Sequence, residues 1–215
     1  MAIFFIFSML LGAALQITNM WGESFLHEFR KIKEYADTFI VRHDGITMSL
    51  SQISETLFII TIPFFLKKFG IKKVMLMSML AWFFRFGLFS VGSPVGIGAV
   101  AIILSMIVYG MAFDFFNISG SLFVEKEVSP DIRASAQGLF MIMTNGLGAI
   151  IGAYGSGYII DMFTRNGHTD WRTVWALFAF YALAIAVLFA LAFKENRKSG
   201  GQEEKDSYSD VVIQH

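Results

Sequence analysis

The sequence has no cysteine and few charged residues, and each shortage excludes a class of protein. Among its 215 residues there are only three prolines, and 16% are Asp, Glu, Lys or Arg. Without thiols the chain forms no disulfides, thiolate metal sites or cysteine nucleophiles. Soluble domains carry about a quarter charged residues, so this low fraction argues against a soluble protein. The formal net charge of zero gives no indication of a nucleic-acid partner.

The chain is instead rich in apolar residues, which occur in long runs. The chain is 55% hydrophobic with 24 Phe, and its mean hydropathy is +0.60. A helix needs about 20 mostly apolar residues to cross a hydrocarbon layer of about 30 Å. Six segments meet this length: 2–26, 46–67, 72–91, 96–124, 133–163 and 171–193. The sequence therefore predicts an all-α membrane protein, a bundle of six transmembrane helices over residues 1–194, followed by a disordered cytoplasmic tail over 195–215.

The ends and turns of the chain predict how this bundle is oriented. Its first segment lacks the Lys or Arg that opens a secretory signal and stays apolar well past a signal core, so we predict a retained span. The turn between the second and third spans contains Lys67, Lys68, Lys72 and Lys73. Because cytoplasmic loops are enriched in Lys and Arg, this turn and both termini are predicted to be cytoplasmic.

Polar side chains recur at helical spacing inside the first two spans. Gln16 and Asn19 are three residues apart on the first span, and Gln52 and Glu55 are three apart on the second, so each pair shares a helix face. At 1.5 Å per residue, Glu55 lies about 13 Å and Gln16 about 9 Å from the same membrane boundary. Such side chains either form hydrogen bonds between helices or contact a ligand, and the spacing leaves both interpretations open.

Glu55 is the most costly of these residues, because an ionised carboxylate near the middle of a span costs about 2.5 to 3.5 kcal/mol. Protonation removes most of that cost, and all four histidines lie outside the predicted spans. Glu55 is therefore the best candidate for carrying a proton together with a ligand. The alternative is a fixed ion pair or a hydrogen-bond acceptor that does not titrate. The sequence predicts no metal site and no cofactor other than the proton as coupling ion.

The third and fourth spans add aromatic rings and two more charges. Tyr109 and Phe113 are four residues apart on one face, which suits a flat, hydrogen-bonding ligand, although core packing is favoured from the spacing alone. Arg85 and Asp114 lie at depths too different for an easy pair. We expect Asp114 to meet Arg133 or the basic turn as a gate or brace, and Arg85 to extend outward along its aliphatic stem.

The fifth span contains small residues, Gly148, Gly152 and Ser156, at successive spacings of four. This stripe predicts close helix packing in preference to a nucleophilic role for Ser156. The sequence has no HExxH, Walker A, dinucleotide-binding or nucleophile-elbow motif. The chain is therefore predicted not to be an enzyme.

Three long stretches resemble a known transporter family. They are MSLSQISETLFIITIPFFLKKFGIKKVMLMSM at 48–79, YGMAFDFFNISGSLFVE at 109–125 and SAQGLFMIMTNGLGAIIGAYGSGYIID at 135–161. They resemble the nucleoside:proton symporters of the major facilitator superfamily, the nucleoside and xanthosine permeases of the bacterial inner membrane. The basic turn around Lys67–Lys73 also looks like the turn between the second and third helices of a major facilitator half.

The resemblance implies a transporter of twelve helices in two halves, of which this chain matches the C-terminal half. It further implies nucleosides as substrates, the lipid bilayer as surroundings, and a missing N-terminal six-helix half as partner. The positions that match the nucleoside pocket are Gln16, Asn19, Gln52, Glu55, Tyr109 and Phe113, and Glu55 matches the acidic residue of proton coupling. Two hypotheses follow. The chain is half of a proton-coupled importer that works by alternating access, or it is a separate or truncated half that is inactive alone and acts as an assembly partner.

Overall fold

The computed structural model describes residues 1–193, which are almost entirely helical; the predicted tail at 195–215 lies outside them. The helices are α1 (Ala2–Glu28), α2 (Phe39–Arg42), α3 (Asp44–Phe69), α4 (Ile71–Val91), α5 (Gly96–Glu127), α6 (Arg133–Met141), α7 (Ala149–Met162) and α8 (Trp171–Ala192). Single 3-10 turns occupy Phe29–Lys31 and Pro130–Ile132, and a π-helical segment, Ile142–Gly148, joins α6 to α7. Strands β1 (Thr164–Arg165) and β2 (His168–Thr169) pair antiparallel.

Within residues 1–193, six helices are long and apolar enough to cross a membrane, so the six predicted spans are confirmed. The main difference is in the fifth span, which was predicted as one regular helix. It is α6, the π-helical segment and α7 in continuous succession. A π-helical turn widens the helix locally, and such turns are frequent at functional sites.

Glycine allows two of the sharp connections between spans. Gly70 separates α3 from α4 with a φ of 77°, a conformation that a residue with a Cβ adopts at a steric cost. Asn166 and Gly167 have φ of 52° and 76° between β1 and β2. Positive φ at both central residues is what a two-residue hairpin turn requires, so the predicted turn closes a small β-hairpin.

The helices pack around α4, which lies between α5 on one side and α8 on the other. α3 covers the far side of α5, and α1 runs along the π-helical segment and α7. The rings of Phe4 and Phe193 lie 6.5 Å apart, so the two ends of the described chain meet. We call this end, which includes the turn Lys67–Lys73, the basic end. The other end, with residues 29–43 and the β-hairpin, is the hairpin end.

Glycines bring α1 into backbone contact with the fifth span. A Cβ on Gly12 would lie 2.0 Å from the carbonyl oxygen of Thr144, and one on Gly152 would lie 2.6 Å from that of Ala13. One turn further along, Ser156 Oγ accepts a hydrogen bond of 2.8 Å from Trp21 Nε1. The prediction that the small-residue stripe serves packing is therefore confirmed, and Ser156 is part of that packing.

Candidate functional site

The predicted site begins at α3, the least enclosed of the six spans. Only 17% of its most apolar 18-residue window is buried, against 50% for α1 and for α4. α3 is held against α5 by Ser54, whose hydroxyl donates to the carbonyl of Ile107. At the same level, a Cβ on Gly110 would lie 2.6 Å from the Ser54 carbonyl oxygen and 2.7 Å from the Glu55 nitrogen. The backbone at Glu55 is therefore fixed directly against α5.

The side chains of Glu55 and Gln52 point away from this contact. Glu55 is half-buried and Gln52 is exposed. No residue within 1–193 forms an ion pair or hydrogen bond with the Glu55 carboxylate. The fixed ion pair that was considered as an alternative for Glu55 is thus not found in this part of the chain. A carboxylate without a protein partner is free to bind a proton or a ligand.

The predicted aromatic wall lies on α5, the helix whose Gly110 contacts the backbone at Glu55. The rings of Tyr109 and Phe113 are parallel, with centroids 5.9 Å apart and an interplanar angle of 4°. Trp82 meets the Tyr109 ring edge-on at 5.9 Å. Tyr109 is buried and Phe113 half-buried, so Phe113 offers the more accessible ring. Since Tyr109 directly precedes Gly110, the rings are carried by the same segment of α5 that contacts the backbone at Glu55.

The amides of α1 form the third element of the candidate site. Gln16 is half-buried, and its Cβ lies 3.0 Å from the Cβ position of Gly152; Asn19 is exposed. Among the described residues, no interhelical hydrogen bond engages Gln16, Asn19 or Gln52. Their polar groups are therefore available to a ligand or to water.

A line of contacts joins these three helices. Thr18, between Gln16 and Asn19, binds Arg85, and the Arg85 guanidinium lies over the Tyr109 ring. The adjoining Gly110 contacts the backbone at Glu55. The structure thus connects all three groups of predicted residues through α4 and α5. Five of the six predicted residues are exposed or half-buried and Tyr109 is buried, whereas a groove of about 510 Å³ at the hairpin end contains none of the six.

Arg85 does not extend outward, so that prediction is wrong. Its side chain is 1% exposed. Its Nε donates to Thr18 Oγ1 at 2.9 Å and its Nη1 to the Ser105 carbonyl at 2.8 Å. Because α4 is the central helix, the side chain is enclosed by α1 and α5 before it can reach a membrane boundary. The hydroxyl residues on those two spans were the sequence signal that could have indicated this.

The predicted contact of Asp114 with Arg133 or with the basic turn is also wrong, because neither forms an ion pair with it among residues 1–193. Arg133 lies 3.8 Å from Glu125, a partner close to it at the junction of α5 and α6. Asp114 is 4% exposed, and its Oδ2 has no hydrogen-bond partner within residues 1–193. Asp114 is buried in the span, whereas Arg133 lies at the basic end, and this difference in depth separates them.

One cluster outside the predicted site has the residue types of a metal site. Glu23, His27 and Asp44 bring their ligand atoms within 4.8 Å of one another at the hairpin end. Arg30 Nη2 already donates to Asp44 Oδ2 at 2.8 Å, and His27 contacts the same oxygen. The cluster is therefore an ion-pair network that ties α1 to the start of α3.

Comparison with known proteins identifies the family. The profile of the family described as nucleoside H+ symporter matches residues 1–198. Nucleoside permease NupG of Escherichia coli K12 is 63% identical over 194 residues, 90% of this chain and 46% of that protein. The xanthosine permease of the same organism is 59% identical over 196 residues, 91% of this chain and 47% of that protein.

Solved structures agree with these sequence matches. The crystal structure of the nucleoside transporter NupG superimposes with a TM-score of 0.87 at 63% identity, covering 91% of this chain and 48% of that chain. The chain thus spans about half the length of the relatives it matches, as expected for one six-helix half of a major facilitator transporter. Those relatives are permeases and not enzymes. Because the family profile matches residues 1–198, which include every described residue, the chain belongs to the nucleoside:proton symporter family.

Proposed function

We propose that the chain is one half of a transporter that imports nucleosides together with protons. One wall of the nucleoside site is formed by Gln16, Asn19, Gln52, Glu55, Tyr109 and Phe113. The observation that carries this proposal is the environment of Glu55, whose backbone is fixed against α5 while its carboxylate has no partner in residues 1–193. The amides would bind the ribose or the base, and the rings would flank the base.

Uncovered polar groups are costly in a membrane, and this cost supports a second protein surface that faces the six proposed site residues. The side chains of Asn19 and Gln52 are exposed on transmembrane helices. Facing lipid, they would lose hydrogen bonds without compensation, so they need water or another protein surface opposite them. The relatives are about twice as long as this chain, and a further six-helix half would supply that surface.

Proton coupling follows from the position of Glu55 between the two proposed halves. When the site opens to one side, water reaches the carboxylate and its proton can exchange. When the halves rock to the other side, the proton is released there, and the bound nucleoside moves with it. With the basic end on the cytoplasmic side of the bacterial inner membrane, the proton gradient would drive import.

Substitution of Glu55 by Gln tests the coupling. Gln keeps the shape and a hydrogen-bonding group but cannot carry a proton. In vesicles containing the complete transporter, we expect uphill uridine accumulation driven by a proton gradient to fall by about tenfold, equivalent to about 1.4 kcal/mol. Exchange of labelled for unlabelled uridine at equal concentrations should persist. Glu23→Gln, a change in an exposed carboxylate at the hairpin end, is the control and should leave accumulation intact. Unchanged accumulation in the Glu55 variant would remove Glu55 from the coupling role.

The coverage of the relatives favours a second candidate, a half that is inactive alone and acts as an assembly partner. Expression of residues 1–215 by themselves tests this second candidate. Uridine uptake by this chain alone would contradict the assembly-partner role. Recovery of uptake only after a separately encoded six-helix half is co-expressed would support it.

A further inference from the structure

Arg85 is a buried charge for which the proposed mechanism has no use so far. Its guanidinium carbon lies 4.5 Å from the centroid of the Tyr109 ring and 5.0 Å from that of Phe89. Its N–H groups donate to Thr18 on α1 and to Ser105 on α5. The Arg85 side chain therefore contacts α1 and α5, two of the helices that carry proposed nucleoside ligands.

Arg85 has no counter-charge among residues 1–193, so its positive charge depends on contacts with neutral groups. No carboxylate within residues 1–193 forms an ion pair with Arg85, although its side chain is only 1% exposed. A cation in a span without a paired carboxylate is costly and rare, and such residues mark functional sites. What stabilises this cation is one hydroxyl, one backbone carbonyl and the faces of two rings.

We propose that Arg85 is a positioning residue for the nucleoside site, which is held by Thr18 on α1 and in turn holds the Tyr109 ring in place. The proposal rests on the nucleoside function proposed above. Tyr109 in turn stacks in parallel on Phe113, so the orientation of the second ring depends on that of the first. On the α1 side, Thr18 accepts a hydrogen bond of 2.9 Å from Arg85 Nε and so keeps the guanidinium over the Tyr109 ring.

The chemistry of arginine suits this role better than that of lysine. A guanidinium is planar, so it can lie over an aromatic ring while its edge donates hydrogen bonds in two fixed directions. A lysine ammonium is a compact point charge with a hydration shell. It could keep the positive charge but could not reach Thr18, Ser105 and the ring face in one geometry.

A double-substitution cycle on nucleoside affinity tests whether Arg85 acts through Tyr109. We would measure uridine dissociation constants for the complete transporter and for variants with Arg85→Lys, Tyr109→Leu and both. Arg85→Lys alone should weaken binding by about tenfold. With Tyr109→Leu already present, it should weaken binding by no more than about twofold, because the ring that Arg85 positions is gone. Thr18→Val, which removes one acceptor, should weaken binding by about threefold.

The outcomes separate a positioning role from a general structural one. Losses that multiply in the double variant would overturn the proposal, since a general structural role would act independently of Tyr109. If Arg85→Lys does not fold, Thr18→Val combined with Tyr109→Leu gives the same test. Arg172→Lys, at an exposed arginine at the hairpin end, is the control and should bind normally. A parent transporter that binds no nucleoside overturns the proposed function itself, whereas a parent that binds, with losses that multiply, overturns only the role of Arg85.

Discussion

Arg85 and Glu55 are both ionisable residues inside the membrane spans, but their surroundings are opposite. Arg85 is fully enclosed and has fixed partners on α1 and α5. Glu55 is half-buried on the least enclosed helix, and its carboxylate has no partner in residues 1–193. The contrast separates two uses of an intramembrane charge. One is satisfied within the fold, and the other has no partner among the described residues.

The two residues are nevertheless parts of one structure. Arg85 contacts Tyr109, and the next residue, Gly110, contacts the backbone at Glu55. A change at the enclosed charge should therefore affect both folding and the site. A change at the open carboxylate should affect the site almost alone. Measurements of unfolding free energy can test this difference.

The largest effect on stability should come from removing the enclosed side chain. Arg85→Ala leaves a cavity beside Tyr109 and deprives Thr18 of its hydrogen-bond donor. We expect the free energy of unfolding to fall by about 3 kcal/mol, with escape from charge desolvation offsetting part of the packing loss. Chemical unfolding in detergent micelles measures the change, and Arg172→Ala, at an exposed position, is the control. An unchanged free energy of unfolding would mean that burying the Arg85 charge costs as much as its contacts contribute. Arg85 would then not differ from Glu55 in its effect on folding.

A smaller loss is expected where the open helix contacts the enclosed core. Gly110→Ala places a methyl group 2.6 Å from the Ser54 carbonyl oxygen, so α3 must move away from α5. Such overpacking costs about 2 kcal/mol, and it shifts Glu55 away from Tyr109, so nucleoside affinity should fall as well. Gly87→Ala is the matched control, because a Cβ there meets nothing within 4 Å. In mid-helix that substitution should stabilise by about 0.5 kcal/mol. Equal effects from both would show that α3 is not held at Gly110.

A charge at the membrane boundary gives an intermediate case. The Asp44 side chain is 12% exposed and interacts with Arg30 and His27. Asp44→Asn should lower the free energy of unfolding by about 1 kcal/mol, because water and salt screen this network. Thermal unfolding at low and high salt checks this, and high salt should reduce the difference between parent and variant. Asp37→Asn, at an exposed residue of the segment that precedes α3, serves as reference and should have no effect.

Length and periodicity were sufficient to predict the six spans, because each span must be apolar over a fixed thickness whatever its neighbours are. The depth estimates also placed Gln16 and Glu55 at similar levels, and this shared depth stays a prediction. The π-helical segment was not predictable in this way. It arises where Gly12 lets α1 contact the Thr144 carbonyl, and that contact depends on tertiary packing.

The errors at Arg85 and Arg133 have different physical origins. Depth along a helix can be counted from the sequence, but the direction in which a side chain points cannot. Arg85 was predicted to extend outward because Asp114 lies at a different depth, whereas its partners are a hydroxyl, a carbonyl and aromatic rings. Arg133 contacts Glu125 at the same end of the bundle, whereas Asp114 is buried deeper in the span. Neutral partners of a charge leave no charge pattern in the sequence.

The smallest effect on stability should come from the open carboxylate. Glu55 has no partner within residues 1–193 to lose, and Gln matches its shape, so Glu55→Gln should change the free energy of unfolding by less than about 0.5 kcal/mol. Glutamine also avoids the cost of an ionised group in the span, so any change should be stabilising. The same variant is expected to lose uphill accumulation. A large effect on coupling with almost none on folding is what distinguishes Glu55 from Arg85. If Glu55→Gln instead destabilised the complete transporter by 2 kcal/mol or more, the carboxylate would have a fixed partner in the other half. Glu55 would then be a structural charge like Arg85.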